Sequence, residues 1–341
     1  MALDNYSFCP CGSGKKIKFC CSKDLIHELD KITRAIDGEQ RIAALDQINS
    51  LLQKKGERAS LLALKSLIQF QLDKFDDAAV TVQALLRVAP SNPTSFVRAA
   101  MVDLAKEDVD GAVKELQRAM EHLDDRIPAD VVATVGMVGR ALVSAGNVLG
   151  ARGHLMFLLL LGANDQESMT ALFRINGAAE IPLLMKEDFA FLPCPDDAPW
   201  KGEFEAAQKC WSRGCWLLAC EQLSSLDEKA PHQLPILRAL AILRTWLGDG
   251  QRTIAAWRRV AALQGIPLED AVEAEALAQL IDPDSHAERI DELTLTYAVG
   301  DVSALNEILL ADRRTSVIPM DPRGFAEADA PPPKSVFWLH F

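Results

Sequence analysis

The feature that most constrains how this chain folds is a period of 34 residues that begins near residue 25. Small side chains recur at this spacing, at Ala44, Ala78 and Ala112. An apolar residue lies four positions after each of them: Ile48, Val82 and Leu116. A unit of this length holds two helices, and a small side chain allows the two to cross closely. Because stacked helix pairs bury one continuous core, the period predicts an α-solenoid.

The repeat pattern resembles that of the tetratricopeptide repeat family, whose units are antiparallel helix pairs. Ala151 continues the series after five extra residues near Ile127 and Pro128. The resemblance therefore implies an all-α solenoid with about four such repeats over residues 25–162.

The period fails over residues 163–199 and then returns. Prolines cannot sit inside regular helices, and this segment holds four of them: Pro182, Pro193, Pro195 and Pro199. We expect an irregular, Pro-containing insert or hinge there. Gly214 and Gly248 stand 34 residues apart, which predicts two further repeats over residues 200–267.

The last part of the chain lacks clear repeat marks. Residues 268–312 are predicted to be capping helices that cover the apolar face of the last repeat. Residues 313–341 form a Pro-rich linker followed by an apolar aromatic tail from Ser335 to Phe341. This tail either docks back onto the solenoid or begins a domain that lies beyond residue 341.

Composition supports helices and limits the partners. Only 6% of the residues are aromatic, and the 49% that are hydrophobic are largely Leu and Ala, which favours an all-α protein. The net charge of -12 argues against nucleic acid as a ligand of the solenoid body, since phosphate contacts need clustered Lys and Arg. The amino end carries no secretory signal and no segment is long enough to span a membrane, so we expect a cytoplasmic protein.

Four of the eight cysteines lie close together at the amino end, as Cys9, Cys11, Cys20 and Cys21. Cysteines in a reducing compartment are metal ligands or core thiols more often than disulfides. Zn²⁺ prefers four thiolate or imidazole ligands in a tetrahedron, and glycines between the two cysteine pairs allow the chain to turn back sharply. The spacing predicts a zinc knuckle over residues 1–24.

The segment from Cys9 to Cys21 also resembles a known motif. Its sequence, Cys9-Pro10-Cys11-Gly12-Ser13-Gly14-Lys15-Lys16 followed by Cys20-Cys21, is similar to the SEC-C motif, found at the carboxyl end of the SecA translocation ATPase and in many other bacterial proteins. It departs from the family pattern at Ile17, where an aromatic residue is usual, and at Phe19, which stands at the variable position. The resemblance covers about 15 of the 341 residues.

The SEC-C resemblance implies two functional surfaces in the head. One is a Zn²⁺ site formed by the four cysteines. The other is a contact surface formed by Lys15, Lys16 and Lys18, through which proteins of this kind meet partners such as a chaperone or the ribosome.

A second binding surface is expected in the solenoid, because stacked helix pairs create a concave groove. The repeat register places these residues in it: Phe70, Met101, Arg140, Trp211, Arg238 and Trp246. This lining is apolar with added arginines, so we expect apolar or amphipathic peptide ligands.

No catalytic motif occurs in the sequence, and acidic pairs fall at expected turns. We therefore expect a non-enzymatic adaptor that binds proteins or peptides. Two alternatives remain open: an accessory module of an enzyme whose catalytic part lies beyond residue 341, and a factor that contacts the ribosome or RNA through the zinc head.

Overall fold

The computed structural model describes residues 3–123 and 127–282. Over these residues the chain forms fourteen α-helices, two short 3-10 turns and no β-strand. No described helix is long and apolar enough to cross a membrane. The predictions made for residues 283–312 and for the linker and tail over residues 313–341 lie outside the described part of the chain.

The first eight helices pack as four consecutive pairs. Their bounds are α1 (Ile26–Asp37), α2 (Arg41–Lys55), α3 (Ala59–Gln71), α4 (Phe75–Val88), α5 (Pro93–Ala105), α6 (Val109–Glu121), α7 (Ala129–Ser144) and α8 (Val148–Leu160). A single helix follows, and then a second stretch of pairs. These later helices are α9 (Gln166–Gly177), α10 (Lys201–Ser212), α11 (Trp216–Lys229), α12 (Leu234–Leu247), α13 (Gly250–Ala261) and α14 (Leu268–Ile281).

The 34-residue period is visible in the helix boundaries. Helices α2, α4 and α6 begin 34 residues apart. The small residues Ala44, Ala78 and Ala112 are fully buried, each in the second helix of its pair. A larger side chain at such a position would hold the paired helices apart. The predicted all-α solenoid of helix pairs is confirmed.

The turn inside each pair requires a left-handed backbone conformation. In the first three pairs the residue with positive φ is not glycine: it is Glu39, Asp73 or Glu107, at φ values of 58°, 56° and 61°. In later pairs glycine takes this place, as at Gly214 and Gly248. An ordinary side chain in this conformation costs about 1–2 kcal/mol, so the early turns are strained.

Replacing Glu107 with glycine should relieve this strain and stabilise the protein. Glycine loses more entropy on folding, about 0.5–1 kcal/mol, which leaves a net gain of about 0.5–1 kcal/mol. Urea denaturation would measure the change. The matched control is Lys114→Gly, an exposed position inside α6, where the same residue should cost about 1 kcal/mol. Equal effects at the two positions would contradict this account.

The segment over residues 163–199 is less irregular than predicted. It contains α9, a full helix from Gln166 to Gly177. The Asp165 side chain accepts hydrogen bonds from the backbone N–H groups of Glu167 and Ser168 at the start of this helix. Since the first proline of the segment is Pro182, nothing interrupts α9. The prediction of irregular structure is wrong for these residues.

The two stretches of helix pairs pack directly on each other, α11 against α6 and α12 against α8. The Gln117 side-chain oxygen accepts hydrogen bonds from the backbone N–H groups of Trp216 and Leu217, at 2.7 and 3.1 Å. At Gly214 a Cβ atom would overlap the Phe157 ring. These buried contacts tie the stretches together, so the intervening segment is an insert on the surface of one body and not a free hinge.

Candidate metal centre and groove

The cysteine-rich head turns back on itself at its glycines. The backbone N–H of Cys9 donates to the Lys15 carbonyl at 2.9 Å, and that of Gly12 donates to the Cys9 carbonyl at 3.1 Å. Gly12 and Gly14 have positive φ, at 76° and 71°, which glycine adopts at no steric cost. This loop brings the first pair of cysteines against the second pair.

The four cysteine side chains converge on one point. All four Sγ atoms lie within 4.8 Å of one another. The Cys9 to Cys21 distance is 3.7 Å and the Cys11 to Cys20 distance is 3.4 Å. A tetrahedron with sulfur about 2.3 Å from its centre has edges of about 3.8 Å. The geometry therefore fits a tetrahedral thiolate metal site, and these cysteines could hold a metal ion.

The protonation of the cluster also suits a cation. Hydrogen bonding with Cys21 raises the pKa of Cys11, and the same contact lowers the pKa of Cys21. Adjacent thiolates repel one another, so a cation between them would stabilise the deprotonated cluster. Two serine hydroxyls lie beside the sulfurs, Ser22 at 3.2 Å from Cys9 and Ser13 at 3.2 Å from Cys20. Such hydroxyls can donate to thiolate sulfur and orient it.

The head is docked on the residues that begin α3 and α5. The Asn92 side-chain amide donates to the Cys11 carbonyl at 2.7 Å, and Arg58 donates to the Cys21 carbonyl at 3.1 Å. Ile17 is fully buried in a cluster with Leu62 and Leu85. The amino ends of helices favour negative charge, which suits a thiolate cluster. The head is therefore part of the solenoid core, a placement that no local pattern in the sequence indicates.

Replacing Asn92 with aspartate should loosen a metal ion held by the four cysteines, without breaking α5. The acceptor for the Thr94 N–H, at 3.1 Å in the present structure, is kept. The donor to the Cys11 carbonyl is lost, and a negative charge faces that carbonyl and the thiolates behind it. We expect metal transfer to a chromogenic chelator at least tenfold faster, about 1.4 kcal/mol.

A matched control exists at Asn147, which caps α8 in the same way. Its oxygen accepts from the Gly150 N–H and its amide donates to the Gly248 carbonyl, far along the chain from the head. Asn147→Asp should leave metal transfer unchanged. If both aspartates act alike, or if neither does, the Asn92 contact has no role at the metal site.

The predicted lysines lie on a face that also carries exposed aromatic rings. The Lys16 ammonium lies 3.6 Å from the centre of the Phe8 ring, and the Lys18 ammonium lies 4.0 Å from that of Tyr6 and 4.6 Å from that of Phe19. Tyr6 and Phe19 are 64% and 71% exposed. Lys15 is exposed beside this face. We call Tyr6, Phe8, Lys16, Lys18 and Phe19 the head face.

The six predicted groove residues do not form one surface. Phe70 packs against Phe75, and the Met101 sulfur accepts from Arg98. Arg140 binds Asp165 at 2.7 Å and Ser168 at 2.6 Å.

Arg238 is buried and already paired within the chain. It donates to Asp270 at 3.2 Å, to Glu273 at 2.8 Å and to the Ala190 carbonyl at 3.1 Å. The prediction that Arg140 and Arg238 face a ligand overlooked these partners, which lie on other helices and in the insert.

Trp211 and Trp246, by contrast, meet at one cavity of about 500 Å³. Trp216 and the α8 residues Gly153 and Leu160 also line this space. We call it the aromatic cavity. At its rim Arg152 binds Asp188 at 2.7 Å. The remaining lining is chiefly apolar.

An extended part of the insert forms one wall of the aromatic cavity. We call residues 187–191 the strap. Phe191 stacks on Trp211 with ring centres 4.7 Å apart and meets the edge of Trp246 at 5.4 Å. Phe189 packs on Trp257 at 5.6 Å. Phe189 and Phe191 are not among the residues predicted to bind a ligand, and their alternation in a Pro-rich segment is their only local signal.

The described helices define an all-α, helix-pair solenoid with a potential metal site at its amino end. No protein-family model and no curated protein matches the chain. One similar solved structure is a tetratricopeptide repeat protein from Parabacteroides merdae, 12% identical with a TM-score of 0.36, over 83% of this chain and 96% of that one. Another is Naa15/Naa10 bound to HypK-THB, 14% identical with a TM-score of 0.34, over 83% of this chain and 44% of that one.

Proposed function

We propose that the protein is a non-enzymatic adaptor, whose zinc-bearing head and helical groove each bind a protein or peptide. The aromatic cavity is the single observation that carries this proposal. It is an open, apolar space lined by three tryptophans. Concave spaces with an apolar and aromatic lining are typical ligand sites, and apolar grooves bind the apolar face of amphipathic peptides.

The metal in the proposed adaptor is Zn²⁺, and its role is structural. Four cysteines complete a tetrahedron, so no coordination position is left for a water or substrate. Thiolate ligands select soft or borderline ions such as zinc. The cluster holds its thiols free, which suits a reducing compartment such as the cytoplasm.

The chemistry of the aromatic cavity indicates its ligand class. Arg152 and Asp188 neutralise each other at the rim, so no net charge attracts a carboxylate or a phosphate. The apolar lining favours aromatic or aliphatic side chains of an extended or amphipathic peptide. Leu160 stands at the edge of the cavity and is 82% exposed, where a ligand would cover it.

Selection of peptides from a displayed random library on the zinc-loaded full chain tests this proposal. We expect aromatic-rich peptides, and Leu160→Asp should weaken their binding at least tenfold. Phe173→Asp is the matched control, because Phe173 is 67% exposed on α9 and does not line the cavity. Both substitutions change exposed residues, so neither should unfold the protein. Selected peptides that bind both variants equally would contradict a ligand site in this cavity.

The head face supports a second function, contact with the ribosome or with RNA. Exposed aromatic rings next to lysines allow base stacking together with phosphate contacts. Sedimentation with ribosomes should be lost in Lys16→Glu/Lys18→Glu. It should persist in Lys54→Glu/Lys55→Glu, which reverses two exposed lysines of α2. Identical sedimentation of the two double variants would remove this function and leave a protein partner, such as a chaperone, for the head.

A further inference from the structure

The aromatic cavity has a matching ligand within the same chain. Residues 335–341 have the sequence Ser-Val-Phe-Trp-Leu-His-Phe and lie outside the described residues. We propose that this segment docks in the aromatic cavity and occupies it in cis. This inference rests on the proposed groove function, since it names the first ligand of that groove.

The chemistry of the segment fits the lining of the cavity. Phe337, Trp338 and Phe341 are three aromatic residues among seven, whereas only 6% of the whole chain is aromatic. The segment contains no Asp, Glu, Lys or Arg, so its burial requires no buried ion pair. Trp211 and Trp246 offer ring faces and edges, against which further aromatic rings pack favourably.

The strap shows that this surface accepts an extended aromatic segment. Phe189 and Phe191 lie on Trp257 and Trp211, and the carbonyl between them accepts from Arg238. The strap forms one wall of the aromatic cavity, and Arg152, Met156 and Leu160 of α8 form another. The space of about 500 Å³ between these walls can take aromatic side chains of a second segment.

The chain leaves the described solenoid close to this space. Leu280 and Ile281, at the end of α14, line a neighbouring cavity together with Leu149, and Leu149 also lines the aromatic cavity. Residues 283–334 connect this point to the segment. A fully extended chain reaches about 3.3 Å per residue, so these residues are long enough to bring the segment to the cavity. The covalent connection favours docking in cis over docking on a second molecule.

Competition between the attached segment and a free copy of it tests the inference. The probe is a fluorescein-labelled peptide with the sequence of residues 335–341, and its binding to the full chain is followed by fluorescence anisotropy. In the full-length variant Phe337→Ala/Trp338→Ala the attached segment is weakened and the cavity is free. We expect the probe to bind this variant at least tenfold more tightly than the unmodified chain.

The location of the probe is tested in the same Phe337→Ala/Trp338→Ala background. Adding Leu160→Asp should reduce probe affinity at least tenfold, and adding Phe173→Asp should change it less than twofold. Equal probe affinity for the unmodified chain and the tail variant would overturn docking in cis. So would concentration-dependent dimers, seen by light scattering, that the tail variant fails to form, because the segment would then occupy a second copy.

Failure of this inference can be told apart from failure of the groove function. If the probe does not bind the tail variant but library-selected peptides still bind in a Leu160-dependent way, the cavity serves another protein and the present inference is wrong. If neither the probe nor any library-selected peptide binds the tail variant, both the docking in cis and the groove function are wrong.

Discussion

Replacing Cys20 with serine should remove the proposed zinc ion and release the head from the solenoid. Cys20 is half-buried, so the substitution itself disturbs little packing, but a hydroxyl is a poor zinc ligand. Without the metal, Ile17 loses its buried site, worth about 1.5–3 kcal/mol. The hydrogen bonds from Asn92 and Arg58 are lost as well, at about 0.5–1.5 kcal/mol each. The total cost is about 2.5–6 kcal/mol.

Two measurements check the expected loss of zinc and the expected release of the head. Mass spectrometry of the native protein should show one zinc per chain in the unmodified protein and none in Cys20→Ser. Hydrogen exchange should accelerate at the start of α3 and α5, where the head docks. Cys194→Ser is the control, since Cys194 is a half-buried cysteine outside the cluster and its variant should keep both zinc and protection. Slow exchange in a zinc-free Cys20→Ser protein would falsify the claim that the metal holds the head in place.

Replacing Arg238 with methionine should destabilise the second stretch by about 2–4 kcal/mol. Breaking a buried ion pair from one side costs about 3–5 kcal/mol. The carboxylates of Asp270 and Glu273 are 22% and 26% exposed, so water offsets part of that cost. Methionine keeps most of the apolar volume, which isolates the loss of charge and of the three donated hydrogen bonds.

The consequence of Arg238→Met should be local as well as global. Arg238 joins α12 to α14 and to the strap, through Ala190. Limited proteolysis should therefore cut first near α14 and within residues 187–191. Lys229→Met removes an ion pair with Glu203 in which the two side chains are 64% and 56% exposed, and surface pairs contribute about 0–1 kcal/mol. Urea midpoints that fall equally in the two variants would show that burial adds nothing to the Arg238 network.

The cysteine cluster and the helix-pair repeat could be predicted, because both depend on residues at short, regular spacings in the sequence. The cysteines at 9, 11, 20 and 21 can meet only if the loop between them folds back, and Gly12 and Gly14 allow that. The small residues at 44, 78 and 112 follow one period, because each helix pair repeats the same local packing. In both cases the pattern depends on spacing along the chain, which is visible without a structure.

The features that could not be predicted depend chiefly on contacts between residues far apart in the sequence. Arg140 and Arg238 have the right register for a groove, yet each is bound by carboxylates 25 to 35 positions away. The prediction of irregular structure over residues 163–199 rested on prolines, and the first of these is Pro182. Helix α9 ends at Gly177, before any of them. The exposure of Tyr6 and Phe19 could not be predicted from the sequence, because it depends on which side of the head packs against the solenoid.

The sequence by itself determined that this chain is a helical solenoid of paired repeats with four clustered thiols, since both features follow from local spacing. Only the tertiary structure decided that the head belongs to the core and that two predicted groove residues share one cavity. Those outcomes rest on contacts such as Asn92 to Cys11, 81 positions apart, and Gln117 to Trp216, 99 positions apart. Which residues meet at such distances is set by how the helices stack, and stacking depends on the fit of all their side chains together.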